Sequence, residues 1–156
     1  GSNLRHGSTN NLLEFEKKTW LNIHPDLKYE SRDKNIYLTL ENSYLTIITT
    51  VTSTLFLECL SFNIPFLIFA SDYKDILSTK TLKDFTKLEK NNILYSSSKK
   101  LSNFLNSNDS KTIIKWWYSD KNQKLVKEFQ NNYARANIEP IIELTKILRK
   151  KKVHYV

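Results

Sequence analysis

Two periods of hydrophobic residues divide this 156-residue chain. Between Leu45 and Tyr95, short apolar runs alternate with stretches whose apolar residues recur every three or four positions; after Ser96 only the longer period remains. Residues 45–50 are largely β-branched and predict a buried strand. Ser53 or Thr52 then caps a helix that runs to about Phe62, and Asn63 closes it in the left-handed conformation. Pro65 opens a second strand over residues 66–70, where its missing N–H is tolerated. Residues 71–78 read as a loop. Residues 81–90 predict an amphipathic helix with Leu82, Phe85 and Leu88 on one face, followed by a third short strand at 93–95.

The flanks follow the same logic. Residues 3–11 are polar and read as a loop. Residues 12–21 predict a helix whose apolar contacts are Leu13, Phe15 and Trp20, and Pro25 ends it. Residues 26–30 and 36–40 read as short strands. Beyond Ser96, Ser97 or Ser98 caps a helix carrying Leu101, Phe104 and Leu105. Asp109 or Ser110 caps the next, with Ile113, Ile114 and Trp117 facing inward. Residues 120–134 place Leu125, Val126, Phe129 and Tyr133 at helical spacing. Pro140 suits the first turn of a last helix. Strands alternating with helices, then helices alone, imply an α/β fold with a parallel sheet flanked by helices and a helical C-terminal region. The chain accordingly divides into an N-terminal loop (1–10), an α/β core (11–96) and C-terminal helices with a basic tail (97–156).

Composition narrows the chemistry. Gly1 and Gly7 are the only glycines, so a glycine-rich phosphate loop is excluded, and any phosphate site must use Ser, Thr and helix N-termini. Gly1-Ser2 without any methionine reads as a cloning scar, which makes the chain a part of a longer protein. Cys59 is the sole cysteine, so neither an internal disulfide nor a cysteine metal cluster can form. It sits in an apolar run and reads as a core residue in a reducing, cytoplasmic setting. His6, His24 and His154 lack metal-ligand spacing, and no metal is expected. No apolar run is long enough to span a bilayer. The net charge is +8, with Lys146, Arg149, Lys150, Lys151 and Lys152 crowded near the C-terminus. That cluster reads first as a solvated helix end suited to the helix dipole, and second as an attraction for an anionic membrane surface at the inner face.

The informative turn is T-T-V-T-S-T, residues 49–54, at the carboxyl end of the first strand. Ligands of parallel sheets sit beyond that end. Thr50, Thr52, Ser53 and Thr54 place hydroxyls beside a helix N-terminus, where phosphates bind. Glu58 lies one helical turn past Thr54 and suits a ribose diol. A single helix cap accounts for one hydroxyl and leaves the others unexplained.

The order S-T-x-x-L-E-x-L-x-x-N-I-P from Ser53 to Pro65 resembles the donor-site core of GT-B type glycosyltransferases. It is similar, more narrowly, to a bacterial family of surface-carbohydrate transferases. In that family an aromatic strand, a G-I-L-like strand, a W-W pair and an F-x-x-x-Y-A segment follow. Here they match Phe66 to Phe69, Asn92-Ile93-Leu94, Trp116-Trp117, and Phe129 with Tyr133-Ala134. Asn92 stands where the family usually has glycine. The resemblance covers roughly Trp20 to Ala136. It implies a Rossmann-like, C-terminal half that binds a nucleotide-sugar donor as substrate, without a cofactor, for surface polysaccharide or lipopolysaccharide synthesis. Ser53 and Thr54 would contact donor phosphate and Glu58 the ribose. The acceptor would be a carbohydrate or lipid-linked sugar, and the catalytic base would come from a missing N-terminal domain. Arg5, at a strand end in such halves, would neutralise donor phosphate.

Two readings from other classes stand beside this. The basic pI near 9.5 invites nucleic-acid binding, but no RNP-like strand, KH loop or zinc pattern supports it. A non-catalytic interaction module would use the turn only as a cap. Trp116-Trp117 read as packing residues, with Trp117 in phase with the core and Trp116 the more exposed.

Overall fold

The computed structural model describes residues 14–15, 17–28 and 36–134, and the chain divides into two compact units, Gly1–Thr39 and Leu40–Val156. Arg5, Leu13, the segment after Pro140 and its basic cluster lie outside the described residues.

In the first unit, residues 14–15 and 17–23 are helical (α1). The last turn closes with the N–H of His24 donating to the Trp20 carbonyl at 2.9 Å, one residue ahead of Pro25. Residues 26–28, expected to begin a strand, are turn and loop instead: Leu27 donates back to the His24 carbonyl at 3.0 Å and wraps Pro25 and Asp26 between them. Phe15 and Trp20, expected as apolar contacts of α1, are exposed.

A second correction concerns residues 36–40. They form the helix α2 (Ile36–Glu41), not a strand. Only Leu40 is buried, so the segment lacks the alternation that a half-buried strand requires. Its apolar residues crowd together, with Thr39 the one break between Ile36 and Leu40, a pattern that periodicity alone does not assign.

The second unit is built on a three-stranded parallel sheet in the order β1-β2-β3, with β1 (Thr46–Ile48), β2 (Phe66–Phe69) and β3 (Leu94–Tyr95). Ile48 pairs with Ile68, and Ile68 with Leu94. Helix α3 (Thr54–Ser61) carries the chain from β1 to β2. The short helix α4 (Tyr73–Ile76) and the longer α5 (Thr79–Lys90) carry it from β2 to β3. Then come α6 (Ser98–Ser107), α7 (Ser110–Trp117) and α8 (Asp120–Tyr133). The arrangement is α/β and Rossmann-like, as the alternation predicts. Caps fall where the sequence placed them: Ser97 accepts from the N–H of Lys100, and Asp109 from that of Thr112.

Alternation along β2 assigns the two faces. Phe66 and Ile68 point into the larger core with Phe56 and Leu60 of α3, Phe85 of α5 and Phe129 of α8. The rings meet edge-on: Phe56 lies 5.5 Å from Phe66, and Phe85 lies 5.8 Å from Phe129. Such pairs contribute about 0.5–1.5 kcal/mol beyond their burial. Leu67 points the other way, to a smaller core with Tyr95 and Leu101 that α6 covers. The adjacent tryptophans of α7 join the two. Trp117 is fully buried 5.0 Å from Phe66, while half-buried Trp116 packs 5.1 Å from Phe104. Ile114, expected inward, is instead 40% exposed, because Ile113 and Trp117 already fill the inward stripe of α7.

Asn63 and Asn92 are the two non-glycine residues with positive φ among those described, at 52° and 58°. Each follows a helix and precedes a strand, and Asn is the non-glycine residue that best tolerates this region. That explains how Asn92 replaces the glycine expected there. Asn63 does more. Its Nδ2 donates to Gln123 Oε1 at 2.9 Å, and its Oδ1 accepts from Trp117 Nε1 at 3.2 Å. The Tyr118 hydroxyl donates to its carbonyl at 3.3 Å.

The expected segment 71–78 is not wholly a loop. Tyr73 is fully buried and its hydroxyl donates to Glu89 at 2.8 Å, which folds the short α4 inward. Ser96 donates to the other Glu89 oxygen at 2.7 Å. Burial works to raise the Glu89 carboxyl, but hydrogen bonds from Ser96 and Tyr73, with Lys74 and Lys100 nearby, outweigh it and hold the group below its ordinary 4.5.

Two predictions follow from these contacts. Asn63→Ala should destabilise by about 2–4 kcal/mol, from the left-handed backbone and roughly 1 kcal/mol per lost hydrogen bond. Asn63→Gly keeps the backbone and should cost less; equal urea midpoints for the two variants would refute the backbone part. Glu89, with its depressed carboxyl, stabilises the fold fully above its ordinary 4.5, and the contribution disappears as pH falls through the folded value. Glu89→Gln should therefore flatten the acid limb of a stability–pH curve, which thermal melts at stepped pH would show.

Candidate functional site

All three strands run parallel, so their carboxyl ends share one pole of the sheet. Thr49 to Thr54 follow β1 there, Ser71 and Asp72 follow β2, and Ser96 and Ser97 follow β3. Side-chain hydroxyls therefore gather at the pole where parallel sheets bind ligands.

The β1 turn resolves into separate duties. Ser53 is the N-cap of α3, with extended backbone (φ −71°, ψ 134°) and its Oγ accepting from the N–H of Leu55 at 3.2 Å. The Ser53 carbonyl accepts from Phe56 at 3.2 Å. Thr50 and Thr52 pair with each other, Oγ1 to Oγ1 at 3.0 Å, and Thr50 also accepts from the Thr52 N–H at 3.3 Å. These bonds hold the turn in place. They also mean that two of the expected phosphate ligands already have a partner in each other. Each hydroxyl keeps spare capacity, since it offers one donor and two lone pairs. Thr54 is exposed in the first turn of α3, and Glu58 is half-buried one turn later. Thr50, Thr52, Ser53, Thr54 and Glu58 are thus gathered in one β1–turn–α3 unit. Arg5 lies outside the described residues.

Cys59, beside Glu58, is fully buried. Burial, and next the charge of Glu58, push its thiol up to about 11. A thiol so raised stays protonated at neutral pH and is not a nucleophile. Among the described residues no cluster of His, Cys, Asp and Glu could hold a metal ion, and no helix is long and apolar enough to cross a membrane.

Lys74 is the residue of this pole that sequence reasoning passed over. It lies 5.6 Å above the ring of Tyr73 and 3.9 Å from Glu89. The signal that could have found it was Tyr73, an aromatic residue in an otherwise polar segment. Trp116 and Trp117, in contrast, belong to the packing described above and not to this pole.

A protein-family model described as LIC12162 family transferase matches residues 6–148. No curated protein and no solved structure matches the chain.

The division of duties in the turn can be tested by stability alone. Ser53→Ala should cost about 1 kcal/mol, the usual worth of an N-cap. Thr54→Val should leave the urea midpoint nearly unchanged. Equal losses in the two variants would mean that Thr54 shares the capping role.

Proposed function

The chain belongs to the LIC12162 family of transferases, and from that premise we propose that it is the nucleotide-sugar-binding half of a GT-B type glycosyltransferase. The observation that carries this reading is the β1–turn–α3 unit, a hydroxyl-rich turn at the carboxyl end of a parallel strand that opens directly into a helix. Backbone N–H groups at such a helix start and the local dipole favour a phosphate oxygen. The hydroxyls of Thr50, Thr52 and Thr54 add donors, and the Glu58 carboxylate suits two hydrogen bonds from a ribose diol. Ser53 serves by fixing the turn.

The reaction is glycosyl transfer to a growing surface polysaccharide or lipid-linked acceptor. The nucleoside diphosphate leaves with negative charge. A preorganised helix N-terminus and hydroxyl set would stabilise that charge as it develops. Such a site needs neither a metal nor another cofactor. The catalytic base belongs, in this proposal, to a second domain that binds the acceptor. Lysines near the C-terminus would favour an anionic membrane surface, where a lipid-linked acceptor resides.

The test is a two-dimensional NMR titration with CMP, UDP, GDP and ADP. One nucleotide should give saturable shifts across residues 50–58 and thereby name the donor base. Glu58→Ala should weaken that binding by about tenfold, the worth of a charge-assisted hydrogen bond, with the fold intact. Unchanged affinity would remove the ribose role. No response to any nucleotide would move the reading to an interaction module whose turn is a helix cap.

A further inference from the structure

A cavity of about 380 Å³ lies at the open edge of β3, two strands away from the β1 turn. Its walls are Glu89 of α5, Asn92 and Ser96 on either side of β3, and Lys100, Asn103 and Phe104 of α6. Tyr95 is also part of the wall. This residue is 5% exposed, and its hydroxyl, closed to solvent, has no hydrogen-bond partner among the described residues. Burial alone pushes that phenol up to about 12, so it remains a donor at any physiological pH. A buried hydroxyl without a partner costs about 1–3 kcal/mol and calls for an explanation.

The backbone contributes to the same edge. The carbonyls of Ile93 and Tyr95 accept from Ile68 and Ala70 of β2, at 2.8 and 3.0 Å. In a strand, alternate residues turn their N–H and C=O groups to opposite sides. Leu94, between them, therefore turns its N–H and C=O away from β2.

The wall chemistry selects a class of ligand. Glu89 is a carboxylate whose two oxygens already accept from Tyr73 and Ser96. Among the described residues it is the sole acid of the wall, which is too few for a divalent cation. Its charge also opposes an anion, while Lys100 offsets it from the facing helix. What remains is a wall near neutrality that offers both donors and acceptors, with Leu94 and the Phe104 ring as apolar surface. Neutral sugar hydroxyls are donors and acceptors at once, and sugar C–H groups suit an aromatic ring. A cavity of this volume is in the range of small-molecule sites. We propose that this cavity binds a neutral polyhydroxylated ligand, one saccharide unit in size. The site is independent of the donor reading and stands or falls separately from it.

The experiment is an NMR titration of the whole chain with methyl α-D-glucopyranoside, N-acetyl-D-glucosamine and myo-inositol, and with inorganic phosphate as the anionic comparison. At least one neutral probe should shift the amides of Tyr95, Ser96, Lys100 and Asn103 saturably, leaving residues 50–58 unmoved. Asn103 is exposed, so Asn103→Ala should keep its melting temperature and lose about tenfold in affinity, one hydrogen bond's worth. A response to phosphate alone, or to no probe, would overturn the proposal.

Discussion

One asparagine side chain holds the two parts of the second unit in register. Asn63 ends the turn between α3 and β2, and its amide binds both Trp117 of α7 and Gln123 of α8. Gln123 in turn donates to the Trp117 carbonyl at 3.0 Å. The bonds bridge more than fifty residues of sequence, so they form only when the helical region has returned to the sheet. Trp117 cannot bury its indole N–H at no cost without an acceptor, and Asn63 supplies it. The aromatic seam of Phe56, Phe66, Phe85 and Phe129 then closes over α3 from the side of α8. Hydrophobic burial drives the packing, and the amide selects one arrangement of it.

This constraint also separates fold from chemistry in the motif. Of the residues from Ser53 to Pro65, Ser53 caps α3, Leu60 and Cys59 fill the core, and Asn63 forms the bridge. Trp117, far downstream, belongs to the same bridge. Most of what makes the family pattern recognisable is therefore packing. Thr54 and Glu58 are the polar residues of the pattern whose side chains stay near solvent without a capping or bridging bond, and the chemical argument narrows to them.

The α/β order was legible because its signals are local. A β-branched run, a proline at a strand start, serine and aspartate caps, and asparagines at positive φ each act within a few residues. The misread elements depend on distant partners. Helix α4 exists because Tyr73 finds Glu89 sixteen residues later, a contact that no window over residues 71–78 contains. Residues 36–40 have an apolar run without a period, and such a run does not distinguish a helix from a strand. In the turn, sequence counted hydroxyls correctly but could not show that Thr50 and Thr52 bind one another. Composition reports which groups are present; only geometry reports which are already engaged.

The sheet itself argues for which side of the β1 turn lies open. Parallel strands are ordinarily covered on both faces. Leu67 of β2 is fully buried, yet its registered neighbour Ile47 of β1 is 44% exposed on the same face. Cover thus thins from β2 toward β1, while the larger core seals the opposite face with α3 and α8. The turn that follows β1 is consequently built on its inner side and accessible on its outer side. A rigid floor beneath an accessible turn is what recognition of a charged group requires, since the donors are held in place before the ligand arrives. Local bonds fix Thr50 and Thr52, so binding at the proposed site would spend little on ordering them.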